Sequence, residues 1–287
     1  MAVEQKQKEQ LDTIVKLGNL DSTYAKINLT KGGALQSLVY GNKIIIDENQ
    51  NYPYASSLLF PFANRVEKAK YTFNKTSYEL ETSAVDNVNA IHGLIYNKTF
   101  QVLDKNESSV KLVFNQTEKH KGYPFLYQIL LTYTLKSNGL ELQMDIKNLD
   151  SQSIPFSLGW HPYFSTSNLQ ESFLIMDTSK RFLVNEIMIP TEQEDIQWSS
   201  TNVIGDKSYD DCFELNTNQV ILKTPDYQLK LTSQPKADYL QVYTPNDRNS
   251  IAIEPQTAPA NSFNSQIGLQ VIEPNATYTQ KWLIEIK

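Results

Sequence analysis

In the middle of the chain, two runs of alternating apolar and polar side chains flank an Asn-Gly pair, and no other feature constrains the fold as much. Tyr127, Ile129, Leu131, Tyr133 and Leu135 alternate with Gln128, Leu130, Thr132, Thr134 and Lys136. Beyond Asn138-Gly139, Leu140, Leu142, Met144 and Ile146 alternate with Glu141, Gln143, Asp145 and Lys147. A period of two sends every second side chain to one face of a strand. Asn-Gly accepts the positive φ of a tight two-residue turn, so the segment predicts a hairpin with one apolar face.

Runs of the same period recur at Tyr24–Leu29, Leu35–Tyr40, Tyr71–Tyr78, Val110–Phe114, Phe173–Met176, Arg181–Val184, Val220–Lys223, Gln228–Thr232, Leu240–Tyr243, Ser250–Glu254 and Thr277–Ile286. Sixteen Tyr and twelve Phe supply bulky side chains that favour strands. So many short strands separated by turn clusters predict an all-β domain of large antiparallel sheets with few helices. No Pro/Gly/Ser linker or fixed-period repeat divides the chain, so residues 1–287 read as a single domain. One helix is expected. Leu11, Ile14, Val15 and Leu17 follow i, i+3, i+4 spacing within an N-terminal extension over 1–20. The polar segment Glu192–Tyr209 reads as a long loop.

Composition narrows the function classes. Lys+Arg is 26 and Asp+Glu is 32, a net charge of 26 − 32 = −6. A mildly acidic surface repels phosphate backbones, so no nucleic-acid partner is expected. Cys212 is the one cysteine. It excludes an internal disulfide and any cysteine-based zinc site. No apolar run approaches the length of a membrane helix, and Met1 to Gln10 contains no apolar stretch typical of a secretory leader. A cytoplasmic protein without a membrane partner is the expectation.

The three histidines differ in setting. His92 precedes Gly93 in Asn89-Ala90-Ile91-His92-Gly93-Leu94, where glycine permits a turn or a close approach of backbone to ligand. His161 lies in Gly159-Trp160-His161-Pro162-Tyr163-Phe164. An imidazole among aromatic rings fits a ligand cleft and a hydrogen-bonded core position alike. His120, between Lys119 and Lys121, reads as a solvated loop residue. Glu254 closes the apolar run Ile251-Ala252-Ile253 before Pro255-Gln256-Thr257, where it either meets solvent or points into a pocket. Asp210-Asp211 precedes Cys212-Phe213, where adjacent acids read as a turn or a strand start. Arg65, after Phe62-Ala63-Asn64, covers apolar surface with its stem or forks onto a ligand oxygen. There is no His-Glu-x-x-His helix, Gly-x-Ser-x-Gly elbow or glycine-rich phosphate loop, and no pair of residues at metal-ligand spacing.

Taken in order, Phe62-Ala63-Asn64-Arg65, Ile91-His92-Gly93, Gly122-Tyr123-Pro124, Gly159-Trp160-His161-Pro162-Tyr163-Phe164, Asp210-Asp211-Cys212-Phe213 and Ile253-Glu254-Pro255-Gln256-Thr257 resemble the aldose 1-epimerase (galactose mutarotase-like) family. The resemblance covers nearly the whole chain from about Asn28. It implies a β-supersandwich with a sugar cleft on one sheet and neither metal nor organic cofactor. Carried over residue by residue, it assigns Glu254 as general base and His161 as general acid. Arg65, His92, Asn64, Gln256 and Asp210 become ligands of the sugar hydroxyls, with Asp211 competing for the place of Asp210. Trp160, Tyr163 or Phe62 would wall the apolar sugar face.

The implied reaction interconverts the α and β anomers of a free aldohexose such as glucose or galactose, in a monomer or homodimer. A base removes the anomeric proton while an acid protonates the ring oxygen; the ring opens, C1 rotates and the ring recloses. Ordinary pKa values near 4.3 and 6.5 suggest an ionised glutamate facing an imidazolium across a hexose-sized gap. Three rivals need different lining residues. A hexose-6-phosphate epimerase needs a cationic cluster, for which Lys68 and Lys70 follow Arg65. A sugar-binding protein needs no acid–base pair. A glycoside hydrolase or lyase would draft Glu254 and Asp210 as paired carboxylates.

Overall fold

A computed structural model describes residues 13–19, 22–199 and 202–287. The predicted hairpin forms its centre. Tyr127–Lys136 pairs antiparallel with Gly139–Asn148, setting Ile129 opposite Ile146, Leu131 opposite Met144 and Tyr133 opposite Leu142. These six side chains are fully or almost fully buried, so cross-strand apolar pairs on one face hold the register. The turn lies one residue earlier than Asn-Gly predicts, on Ser137-Asn138, with Lys136 opposite Gly139. Gly139 is needed for another reason: a Cβ there would stand 1.8 Å from the Ile284 carbonyl oxygen of the next strand.

From this hairpin a 14-stranded antiparallel sheet extends both ways. On one side are Ser109–Gln116 and the edge strand Gln101–Lys105. On the other, in spatial order, are Thr277–Ile286, Gln228–Gln234, Asp210–Lys223, Tyr239–Tyr243, Ser250–Gln256, Gly159–Trp160 and Leu58–Leu59. Tyr163–Ser165 also pairs with Ser250–Gln256, and Phe173–Val184 pairs with Asp210–Lys223. A separate four-stranded sheet comprises Ile14–Asn19, Thr23–Asn28, Ala34–Tyr40 and Lys43–Ile46. One continuous apolar cluster joins the two, from Leu17 and Ile27 through Tyr133 and Leu142 to Trp160 and Trp282.

Two local expectations are corrected. The N-terminal helix is absent from the described part of its segment: Ile14–Asn19 is a strand, with Val15 and Leu17 buried and Lys16 and Gly18 exposed. Leu11 lies outside the described residues. Three apolar side chains fit either period, and pairing with Thr23–Asn28 decides for period two. The Glu192–Tyr209 loop begins as a strand, Pro190–Asp195, which pairs with Phe173–Val184. Its exposed charged side chains hid it from a hydrophobic pattern. Among the described residues no helix is long and apolar enough to cross a membrane.

Candidate active site

Three adjacent strands build the floor of a cleft. In Ser250–Gln256 every residue is buried, so this strand is covered on both faces. Register places Gln241 opposite Glu254, and Cys212 opposite Gln241. One step along, Asp210 faces Tyr243, Tyr243 faces Ala252, and Ala252 faces Tyr163. Directly paired residues, and those two apart, share a face. Glu254, Gln241, Asp210, Tyr243 and Tyr163 therefore converge on one side.

His161 enters from the link between Gly159–Trp160 and Tyr163–Ser165. Its backbone is fixed at both ends: its N–H donates to Ser57 O at 3.0 Å, and its carbonyl accepts from Ser56 N at 2.9 Å. Its ring stacks on Tyr163, centroids 4.9 Å apart. A third group hangs on the two-stranded pair Arg65–Val66 and Ala90–Ile91. His92 N donates to Asn64 O at 2.9 Å, and both residues hold left-handed backbone, φ 61° and 54°. Such conformations cost about 1–3 kcal/mol each, and they collect at sites where side chains must be aimed. Gly93 follows with φ 77°, and a Cβ there would meet Phe60 O at 2.2 Å. Gly93→Ala is therefore expected to destabilise the fold by about 2–5 kcal/mol, combining left-handed strain with overpacking. A lowered urea midpoint at unchanged slope checks this; an unchanged midpoint contradicts it.

The cleft encloses about 280 Å³, and its lining includes Asn64, Arg65, His92, His161, Asp210 and Glu254. Six of the seven expected site residues thus meet in one place. The seventh, Gln256, lies outside the lining. It is fully buried behind the site, and its amide donates to Glu254 Oε2 at 3.1 Å. Trp160 and Phe62 are likewise core residues, packed against Trp282 and Phe263; Tyr163 alone of the expected aromatic wall lines the cleft. Alternation settles the two acids. Asp210 faces the cleft, exposed at its mouth, whereas Asp211 turns away and bonds Arg181 at 3.1 Å. His120 stands apart in its loop, its Nδ1 accepting from Gly122 N.

A directed chain of hydrogen bonds crosses the floor. Arg65 Nη1 donates to Asn64 Oδ1 at 3.2 Å, Asn64 Nδ2 to Gln241 Oε1 at 3.3 Å, and Gln241 Nε2 to Asp210 Oδ1 at 2.8 Å. Asp86 anchors the far end, accepting from Arg65 Nε at 2.7 Å. Gln241 escaped the sequence reading. Its signal was a lone polar side chain between Leu240 and Val242 in an apolar strand. Asp86 carried no signal, because only the fold brings its loop back to Arg65.

His161 Nε2 stands 3.4 Å from Glu254 Oε1, and the His92 ring lies 5.1 Å from that of His161. The expected hexose-wide gap between acid and base is corrected to near contact. Burial opposes the expected charges of the pair. Burial, and then the Asp210 carboxylate, hold Glu254 well above the ordinary carboxylate value. Burial takes His161 down to about 3. Burial, then His161 and Arg65, keep His92 neutral as well. Burial thus disfavours the charged form of all three groups. The Nδ1 atoms of both histidines are buried without a hydrogen-bond partner. Among the described residues no cluster of metal-binding side chains forms.

The comparisons agree with this architecture. The chain is 24% identical over 261 residues to YihR of Escherichia coli K12, itself named as uncharacterized, covering 85% of this chain and 84% of YihR. It is 25% identical over 167 residues to galactose mutarotase of Sus scrofa, covering 55% of this chain and 47% of that enzyme. Two solved structures share the fold. A putative aldose 1-epimerase from Escherichia coli K12 aligns with TM-score 0.83 at 17% identity, covering 96% of this chain and 99% of that one. A galactose mutarotase-like protein from Clostridium acetobutylicum aligns with TM-score 0.82 at 21% identity, covering 93% of each. The fold is thus the galactose mutarotase-like one. The model of the family described as aldose 1-epimerase matches residues 14–285, and the chain belongs to that family.

Proposed function

We propose that this chain is a mutarotase that interconverts the anomers of a free, neutral aldose, working as one domain with Glu254 as base and His161 as acid. The observation that carries the reading is the 3.4 Å approach of His161 Nε2 to Glu254 Oε1 inside a cleft. The two oxygens that exchange protons in a hemiacetal sit on the same carbon. An acid and a base serving both must therefore be neighbours, as these are.

Proton bookkeeping favours the pair. Neutral Glu254 with neutral His161 holds the same single proton as ionised Glu254 with imidazolium. A shift of that proton between them changes no net charge. Sugar hydroxyls, with Arg65, supply hydrogen bonds that favour the ionic form once the cleft is filled. Glu254 then takes the anomeric hydroxyl proton as C1=O forms. The C1–O5 bond breaks, and His161 gives its proton to O5. Rotation about C1–C2 and reclosure run the transfers backwards and restore the pair. Asn64, Arg65, His92 and Asp210 orient the hydroxyls.

Charge argues against a phosphorylated substrate. Arg65 is the one cation of the lining, set beside Asp210 and already bonded to Asp86. Lys68 and Lys70 lie outside the lining, exposed, near Glu67 and Glu79. A phosphoryl group would meet mostly negative potential.

Polarimetry of freshly dissolved α-glucose, α-galactose, xylose and glucose 6-phosphate tests the reading. We expect faster decay of optical rotation for a free aldose, proportional to protein concentration, and no comparable effect on the phosphate ester. Decay at the buffer rate for every sugar would reject it. Acceleration confined to the phosphate would favour the rival epimerase. With His161 titrating near 3 in the free protein, kcat/KM should stay level as pH falls from about 7.5 to 5, where an ordinary imidazole gains its proton.

A further inference from the structure

A second, larger concavity adjoins the cleft, about 840 Å³ against 280 Å³, and the half-buried Tyr52 belongs to both walls. Tyr52 packs on Tyr163 with centroids 4.6 Å apart, and Tyr163 stacks on His161 at 4.9 Å. A continuous aromatic row therefore leads from the acid–base pair out to the groove.

The groove wall is polar and organised. Asp247 accepts from Tyr52 Oη at 2.6 and 2.7 Å. Asp226 accepts from both the backbone N–H and the hydroxyl of Ser167, each at 2.9 Å. Gln50 Nε2 donates to Ser165 Oγ at 3.1 Å. Carboxylates and amides held in this way keep further lone pairs and N–H groups for a ligand. Such side-by-side donors and acceptors suit vicinal hydroxyls, each of which gives one hydrogen bond and takes others. The sign of charge narrows the class: Asp47, Asp226 and Asp247 face the groove against Lys43 alone, which disfavours phosphate, sulfate or uronate.

We propose that this groove is a saccharide subsite and that the preferred substrate is a neutral reducing oligosaccharide. Its reducing residue occupies the cleft, and the next residue passes Tyr52 into the groove. The inference rests on the mutarotase reading and gives that reading a substrate class. Binding of the second residue, remote from C1, helps hold the reducing residue against Glu254 and His161.

The test compares mutarotation of maltose, lactose, melibiose and 1,4-galactobiose with that of glucose and galactose. At least one disaccharide should show a kcat/KM about tenfold or more above its own reducing-end monosaccharide. Asn249→Trp and Asn49→Trp, both at exposed groove positions outside the cleft, should remove that advantage and leave monosaccharide turnover unchanged. Monosaccharide turnover without any disaccharide advantage overturns the groove proposal alone. So do variants that slow both substrates equally. Absence of turnover for every sugar overturns the mutarotase reading instead. Calorimetric titration with methyl maltoside and methyl glucoside, which cannot open, then decides the groove. Tighter binding of the disaccharide, lost in Asn249→Trp, supports it; equal or absent binding rejects it.

Discussion

Glu254→Gln is expected to lower kcat by about 10²–10⁴-fold on every aldose the wild type interconverts, with KM changed much less. Gln keeps the size and one hydrogen-bonding oxygen of the side chain but cannot hold the proton removed from the anomeric hydroxyl. The same variant should be more stable than the wild type. Burial raises the Glu254 pKa in the folded protein, so its stabilising contribution is full below the ordinary carboxylate value. That contribution is lost as pH rises through the folded value. Gln carries no such penalty. Its melting temperature should exceed the wild type's by more at about pH 8 than at about pH 4.5. Wild-type rates in this variant would remove Glu254 from the mechanism, and a pH-independent melting difference would remove its buried proton.

His161→Asn should cost about 10²–10⁴-fold in kcat as well, because O5 then leaves without a proton donor. Its stability signature has the opposite sign. A histidine whose folded pKa is depressed from 6.5 to about 3 contributes stability that is full above the ordinary value. It is lost as pH falls through this window. His92 acts in the same sense. The wild type should therefore lose melting temperature between pH 7 and 4, and His161→Asn should lose less. Equal acid sensitivity of the two proteins would show that His161 is not held neutral.

Strand periodicity made most of the fold legible, because the large sheet has a buried face nearly everywhere. It failed where that contrast was missing. Ile14, Val15 and Leu17 fit both periods, and Pro190–Asp195 is an exposed strand of charged side chains. Six site residues were legible as short motifs whose joint order resembled one family. Their environment was not. Glu254 and His161 are 93 positions apart (254 − 161), and only the folded sheet shows that they touch and that burial shifts their proton. Gln256 was misplaced because Glu254 and Gln256 share a strand face, yet the strand ends its contact with the cleft at Glu254. Gln241 and Asp86 needed long-range pairing to be seen at all.

Glu254 and His161 are proposed to act as one proton-exchanging unit. Saturation transfer between the α and β anomeric protons measures the interconversion rate for the wild type, each single variant and Glu254→Gln/His161→Asn together. The double variant should lose no more than about as much as the worse single one, since either change alone stops the paired transfer. Losses that multiply would contradict it, showing two side chains that work independently.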